Sequence, residues 1–281
     1  MKLFNQVAII GVGLMGGSLG LALHKRKLAG EIVGVCRHRD SLRLAKKRRA
    51  IDVGYVDIEK AVLNTDLVIF ATPVGQIIEL IPRIAPFLKK GAIVTDVGST
   101  KVEVVKQGEK FLSPRASFIG AHPLVGSEKR GVKEAQVDIF EDALCIITPT
   151  LHTDKHSLRK IIQLWKALGA RIEMMSPQKH DRIVAQTSHL PHVLAVALML
   201  SLERKLIPWG AGGLRDVTRI AASDPFIWQD IFLTNQKEVL KAIEKFKLNL
   251  QHFSSSLFRR DKENIFSLLK KAQEKRNLIS G

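Results

Sequence analysis

The chain has 281 residues, which is enough for two domains with separate hydrophobic cores. Hydrophobic residues make up 46% and charged residues 25%, the composition of an ordinary globular enzyme. Two cysteines, Cys36 and Cys145, exclude a disulfide framework and predict a reducing, cytoplasmic location. The longest purely apolar run, residues 193–200, is far too short to span a membrane.

The formal net charge is +17, from 44 Lys and Arg against 27 Asp and Glu. Such an excess suits nucleic acid, an acidic membrane surface or anionic small molecules. The basic residues are spread along the chain with one dense cluster at residues 37–49, and no zinc-finger or aromatic-rich RNA-binding pattern accompanies them. We therefore expect a solvated basic surface that steers small anionic ligands, with no nucleic-acid or membrane partner.

Residues 1–175 alternate short apolar runs with amphipathic segments, which predicts an α/β, doubly wound (Rossmann) parallel sheet that binds a dinucleotide. Buried parallel strands are predicted at residues 7–10, 32–35, 67–70, 92–95 and 144–147, with a closing strand at 171–175. The intervening helices are predicted at residues 15–26, 40–49, 74–87 and 154–168.

Residues 176–281 carry helical periodicity alone and predict an all-helical C-terminal domain. Such a domain after a nucleotide-binding domain often completes the active site and forms the dimer, so we expect it to serve substrate binding and dimerisation. Helices are predicted at residues 178–205, 224–250 and 261–276, with Asp224 as N-cap and Pro225 in the first turn of the second. Pro191 leaves the carbonyl of Thr187 without its helical partner, so a kink is expected there.

A glycine-rich turn joins the first strand to the first helix and predicts a dinucleotide site. The turn runs Gly11, Val12, Gly13, Leu14, Met15, Gly16. Its glycines permit a tight turn and close approach to a pyrophosphate, whose charge the helix N-terminus favours. The loop Ala71-Thr72-Pro73, after the strand at 67–70, is expected to border the nicotinamide half of the cofactor.

The end of the second strand indicates which cofactor binds. An acid about 20 residues past the last glycine would bind the ribose hydroxyls of NAD. Cys36 occupies that place and is followed by Arg37 and His38. Because no acid repels a 2′-phosphate and guanidinium groups can bind one, NADP is favoured, with NAD as the alternative.

His122 is the foremost candidate for catalysis. It lies between Ala121 and Pro123, and a residue before proline is pushed into extended conformation. We expect His122 on a loop at the mouth of a strand, with an imidazole that exchanges a proton near neutral pH. A plain turn is the alternative interpretation of this segment alone.

Several ordered segments together resemble the prephenate/arogenate dehydrogenase family of tyrosine biosynthesis. They are the glycine turn and residues 96–101, 120–132, 180–181, 188–192, 214–220, 224–225 and 228, so the resemblance covers nearly the whole chain. It implies an NAD(P)-dependent oxidative decarboxylation: hydride leaves the ring carbon that bears the hydroxyl, and the ring carboxylate departs as CO₂.

The resemblance also implies roles for individual residues. His122 would accept the hydrogen bond of the ring hydroxyl, with Ser99 as its catalytic partner. Arg215 would bind a substrate carboxylate. Glu128 would position that arginine, and Ser127, His189 and His192 would line the substrate pocket. For His180 we expect a structural role at a helix start or between domains, and for Trp228 core or dimer packing.

Two further expectations concern metal binding and oligomeric state. No metal is expected, because no cysteine or carboxylate completes a ligand set with the histidines at 180, 189 and 192. A homodimer through the helical domain is expected. Two alternative functions stay open. One is a β-hydroxyacid dehydrogenase, against which Arg215 argues because those enzymes use a lysine at this place. The other is a non-enzymatic NADP sensor or nucleic-acid-binding protein, which the net charge of +17 keeps open.

Overall fold

An eight-stranded sheet organises the first part of the chain in a computed structural model that describes residues 2–125 and 129–279. Its strand order is β3-β2-β1-β4-β5-β6-β7-β8. The strands are β1 Phe4–Ile10, β2 Ala29–Val35, β3 Val53–Tyr55, β4 Leu67–Phe70, β5 Ala92–Asp96, β6 Ala116–Pro123, β7 Leu144–Thr148 and β8 Arg171–Met174.

The sheet is parallel except between β6 and β7, where Gly120 pairs with Thr148 in antiparallel register. The expectation that residues 144–147 form a strand is confirmed, but the expected parallel orientation was wrong for the pairing with β6. Parallel pairing needs a crossover, usually a helix, whereas the described part of the β6–β7 connection contains only the short 3₁₀ turn Val132–Glu134. β8 then pairs parallel with β7 and closes the sheet, as expected.

Helices cover both faces of the sheet, which explains why its strands read as continuous apolar runs. Alternate residues of β4 enter opposite cores: Leu67 and Ile69 pack on one side, Val68 and Phe70 on the other. The helices are α1 Leu14–Lys25, α2 Arg39–Lys47, α3 Ile58–Val62, α4 Val74–Ile84, α5 Val102–Leu112 and α6 Lys155–Ala167. The doubly wound fold predicted from the sequence is confirmed.

The remainder of the chain is helical, as expected. Its helices are α7 Pro177–Val184, α8 Leu190–Ser201, α9 Gly212–Thr218, α10 Pro225–Thr234, α11 Gln236–Phe258 and α12 Lys262–Asn277. In place of a simple kink at Pro191, the π-helical turn Ala185–His189 joins α7 to α8. The single helix predicted at 224–250 is interrupted at Asn235, so that prediction was wrong at this residue.

The chain separates into two compact units, residues 1–235 and residues 236–281. The first contains the sheet and α7–α10. The second contains α11 and α12, which pack on each other, with Asn264 Nδ2 donating to Ser256 Oγ at 2.7 Å.

The run Pro177–Ser201 is long and apolar enough, by length and composition alone, to cross a membrane, and 28% of its apolar window is buried. Its buried polar residues include His180, Asp181 and His189, which hydrogen-bond to other side chains. We interpret it as a helix of the protein core with one apolar face exposed in the single chain.

Candidate active site

His122 lies inside β6 rather than on a loop, one residue before the strand ends at Pro123 and opposite Ile146 of β7. The expected loop position was wrong, because pairing with the antiparallel partner continues the strand as far as Pro123. β6 ends at Pro123, since proline has no N–H group to donate a further hydrogen bond to the neighbouring strand. The imidazole is thereby anchored on rigid backbone at the carboxyl edge of the parallel strands, where open α/β sheets bind ligands.

A chain of hydrogen bonds leads from His122 to a buried carboxylate. Nδ1 of His122 lies 2.8 Å from Nε2 of His180, and Nδ1 of His180 lies 2.7 Å from Oδ1 of Asp181. His180 and Asp181 are fully buried at the start of α7. From the sequence we expected only a structural role for His180. Nothing in the sequence indicated that His180 hydrogen-bonds to His122.

The chain of bonds defines the proton positions. An ionised carboxylate only accepts, so His180 carries its proton on Nδ1 and accepts at Nε2. His122 then donates from Nδ1, which leaves its Nε2 as an acceptor. Asp181 is itself held by the N–H groups of Lys101 and Val102 at the start of α5, at 2.8 and 2.9 Å.

A buried ion pair lies beside this relay. Lys101 Nζ bonds to the carboxylate of Asp96, and both side chains are wholly shielded from water. The pKa of His122 lies well below its ordinary value of 6.5, chiefly because of burial and then because of His180, Lys101 and His189. His122 is therefore neutral at pH 7 and suited to accept a hydrogen bond.

A cavity of about 640 Å³ opens beside His122. Of the residues predicted for substrate and catalysis, it brings together His122, Ser99 and His189. The other lining residues are Leu124, Val125, Lys129, Arg130, Ile183, Val184, Thr187, Ser188, Arg219, Ile220, Ser223, Asp224, Ile227, Trp228 and Ile231. Ser127 and Glu128, also predicted here, lie outside the described residues.

His192 takes a different position from the one expected. It does not line the cavity but stacks on Trp228, with ring centroids 3.5 Å apart and planes at 13°. Trp228, for which we expected only packing, forms part of the cavity wall instead. His189 also contacts this indole, but with its ring at right angles to it and the centroids 6.0 Å apart.

Arg215 and Arg219 are separated by one turn of helix, and the cavity contains only the second. Arg219 lines it and Arg215 does not, although both side chains are exposed in the single chain. Both arginines stand in the same segment of the sequence, and periodicity alone gave no reason to prefer Arg219. The role predicted for Arg215 stays a prediction.

The glycine turn fits a dinucleotide. Gly11 has a φ of +96°, and a Cβ on Gly16 would lie 2.1 Å from the carbonyl oxygen of Gly11, so both positions require glycine. A Cβ on Gly13 would meet nothing within 4 Å, which leaves open space beside the first turn of α1. Leu14 and Met15 begin that helix, and no side chain caps it. Its free N–H groups suit a pyrophosphate.

The loop after β4 lies on the same edge of the sheet. Ala71, Thr72 and Pro73 are half-buried, and the Oγ1 of Thr72 is buried without a hydrogen-bond partner. A buried hydroxyl without a partner is costly, and a bound ligand would satisfy it. Behind this loop, Asp230 of α10 accepts from the N–H of Gly75 at 3.0 Å and fixes the start of α4.

The residues predicted to select the cofactor follow β2 directly. Cys36 is half-buried, and burial raises the pKa of its thiol, so it carries no charge at pH 7. Arg37 and His38 are exposed, with His38 as the N-cap of α2. Within residues 2–125 and 129–279, no group of three or more His, Cys, Asp or Glu is arranged to hold a metal ion.

Both the sheet-containing segment and the helical segment of the chain match models of known families. Residues 19–174 match the model described as "Prephenate dehydrogenase, nucleotide-binding domain", and residues 176–271 match "Prephenate dehydrogenase, dimerization domain". The chain is 34% identical to cyclohexadienyl dehydrogenase of Zymomonas mobilis, over 98% of this chain and 96% of that protein. It is also 34% identical to prephenate dehydrogenase of Bacillus subtilis, over 97% of this chain and 76% of that one.

Solved structures agree. The fold matches Aquifex aeolicus prephenate dehydrogenase in complex with hydroxyphenyl propionate and NAD⁺, with a TM-score of 0.92, 36% identity and 98% of each chain covered. Synechocystis arogenate dehydrogenase gives a TM-score of 0.84 at 26% identity, over 98% of this chain and 99% of that one. A 3-hydroxyisobutyrate dehydrogenase from Salmonella typhimurium gives 0.60 at 11% identity over 86% of this chain and 88% of that one, which shows a shared fold alone.

Proposed function

The chain belongs to the prephenate dehydrogenase family, and we propose that it oxidises and decarboxylates prephenate, with His122 and Ser99 in the catalytic roles. It is an oxidoreductase that uses a nicotinamide cofactor. The observation that carries the proposed mechanism is the hydrogen-bond chain from Asp181 through His180 to His122, because it leaves the Nε2 of a neutral imidazole as an acceptor.

In the reaction, His122 Nε2 accepts the hydrogen bond of the ring hydroxyl. A nicotinamide held at the glycine turn would supply the acceptor for the hydride that leaves the carbon bearing this hydroxyl. As that hydride leaves, the proton of the hydroxyl shifts toward His122. The ring carboxylate departs as CO₂, the electron pair of its bond to the ring makes the ring aromatic, and the proton returns from His122 to the phenol oxygen. Ser99 lines the same cavity and is suited to contact the same hydroxyl. A positioned proton acceptor is typically worth about 10²–10⁴-fold in rate.

Charge in the cavity favours prephenate, a keto acid with two carboxylates, over arogenate, which carries an additional ammonium. Lys129, Arg130 and Arg219 line the cavity. Among the lining residues that are described, the one carboxylate is Asp224, which pairs with Arg130 at 2.7 Å and caps α10. For carboxylate binding we propose Arg219 in place of Arg215, because Arg219 lines the cavity and an Arg fork holds a carboxylate in a fixed plane.

For the cofactor we propose a preference for NADP over NAD. Cys36 stands where NAD-selecting proteins carry an acid, and the exposed Arg37 and His38 follow it at the edge of the sheet. The Aquifex aeolicus relative was crystallised with NAD⁺, so cofactor choice needs its own test. Replacing Cys36 by Asp and Arg37 by Ala is expected to shift preference toward NAD⁺.

We further propose that residues 1–175 bind the cofactor and residues 176–281 complete the substrate site and form a homodimer. Apolar side chains exposed in the single chain support this, among them Leu200, Trp209, Phe226 and Leu233. We expect a protein of the cytoplasm that binds no membrane and no nucleic acid.

The decisive experiment is a two-by-two assay of prephenate or arogenate with NAD⁺ or NADP⁺, following the reduced cofactor. We expect the highest kcat/KM with prephenate and NADP⁺. Activity with NAD⁺ alone would overturn the cofactor proposal, and preference for arogenate would overturn the substrate assignment. Absence of turnover in all four combinations would overturn the proposed reaction.

A further inference from the structure

Asn235 lies between α10 and α11 and is buried, with 5% of its surface exposed. Its Nδ2 lies 2.8 Å from the carbonyl oxygen of Asp181 and 3.2 Å from Nδ1 of His189. A backbone carbonyl only accepts hydrogen bonds, so the amide nitrogen of Asn235, and not its oxygen, faces Asp181. The same NH₂ group therefore faces the imidazole of His189.

This contact defines the protonation of His189. Nδ1 receives a hydrogen bond from the amide, so the ring proton of a neutral imidazole is on Nε2. His189 is 1% exposed, and burial lowers its pKa to about 4, so the ring is neutral at pH 7. His189 lines the cavity, and a proton on Nε2 would make this ring a hydrogen-bond donor there.

His122 has the opposite arrangement, with a proton on Nδ1 and an acceptor at Nε2. One residue connects the two: the carboxylate of Asp181 bonds to His180, and its backbone carbonyl bonds to Asn235. The tautomers of His122 and His189 therefore both depend on hydrogen bonds to Asp181 of α7, through His180 for the first and through Asn235 for the second.

We propose that Asn235 is a positioning residue that holds His189 as the Nε2–H tautomer, so that the cavity presents one acceptor imidazole, His122, and one donor imidazole, His189. The donor binds a carboxylate or keto oxygen of the substrate. This second part rests on the proposed function, whereas the tautomer of His189 is a property of the free protein.

The test is ¹⁵N NMR of the histidine rings in the full chain at pH 7 without ligand, with signals assigned through His189→Gln. We expect an unprotonated Nδ1 for His189 and a protonated Nδ1 for His122. In Asn235→Asp a carboxylate faces the ring, and the Nδ1 of His189 is expected to become protonated. Asn249→Asp, the same change at an exposed position of α11, should leave the His189 signals unchanged.

Kinetics supply the second measurement. Asn235→Asp is expected to raise the KM for the substrate about tenfold, the loss expected for one hydrogen bond, with a smaller change in kcat. A protonated Nδ1 on His189 in the unsubstituted protein would overturn the proposal, even if Asn235→Asp fails to fold. If the tautomer is as expected but neither prephenate nor arogenate is turned over, the proposed function fails and the role of Asn235 stands.

Discussion

Nδ1 of His122, on β6, lies 2.8 Å from Nε2 of His180, at the start of α7. The bond joins the sheet to the helical segment within the first compact unit. It also means that the orientation of the proposed catalytic imidazole depends on a residue far away in the sequence.

Replacing His180 by Ala removes the acceptor that fixes the tautomer of His122. We expect the loss of about 10²-fold in kcat that misplacement of a catalytic group causes, with KM for the cofactor unchanged. Steady-state kinetics measure both. His156→Ala, at an exposed histidine of α6, is the matched control. An unchanged kcat in His180→Ala would remove His180 from the mechanism.

His122→Asn keeps a polar side chain on β6 but loses the acceptor Nε2. Turnover is expected to fall by about 10²–10⁴-fold, while cofactor affinity stays as in the unsubstituted protein. Cofactor titration by fluorescence separates the two quantities. If cofactor affinity fell in parallel with turnover, the role of His122 would be structural.

Gly13 and Gly16 are expected to respond differently to a methyl group. Gly13→Ala places it in open space beside the first turn of α1 and should weaken cofactor binding without lowering the thermal midpoint. Gly16→Ala places it 2.1 Å from the Gly11 oxygen and should lower the midpoint. Thermal unfolding and cofactor titration on both variants measure this. Equal loss of stability in the two would contradict the assignment of open space to the cofactor.

Arg219→Gln is expected to raise KM for the substrate by about 10–100-fold, because a charge-assisted hydrogen bond contributes roughly 1.5–3 kcal/mol. Arg215→Gln, one helical turn away and exposed, serves as the matched variant. Kinetics at saturating cofactor give both values. A larger effect at Arg215 would restore the assignment made from the family resemblance.

Stability is expected to depend on pH through His189. Its pKa is near 6.5 in the unfolded chain and about 4 when folded, so between these values the unfolded chain binds more protons. Its contribution to stability is complete above pH 6.5 and is lost as the pH falls toward 4. The difference in unfolding free energy between the unsubstituted protein and His189→Gln, from urea titrations, should shrink over this range. A difference that stays constant would contradict the lowered pKa.

The sequence predicted most of the fold because apolar runs and glycine turns are local signals. Val7 to Ile10 reads as a buried strand whatever follows it, and Gly11 to Gly16 require a turn by their own geometry. The orientation of β7 could not be predicted in the same way. Leu144 to Ile147 are equally apolar in a parallel or an antiparallel strand, and only the connection decides between them.

The candidate site was predicted in part. The proline and glycine neighbours of His122 made it a candidate, and the family resemblance added its catalytic role and the positions of Ser99 and His189, all three of which line the cavity. The contribution of His180 depends on a distance between two elements, and Asn235 has no motif at all. Arg215 lies within α9 and Arg219 at its C-terminal end, and periodicity does not indicate which of the two lines a cavity.

Asp181 accepts hydrogen bonds from the N–H groups of Lys101 and Val102 and also fixes the proton of His180, so one carboxylate both attaches α7 to the start of α5 and tunes the imidazoles. Mutations that loosen this attachment should therefore reduce turnover before they unfold the chain. Selection for activity would then preserve the attachment as well. Efforts to make the enzyme more heat-resistant should leave this junction unaltered and concentrate on α1–α6, away from the carboxyl edge of the sheet.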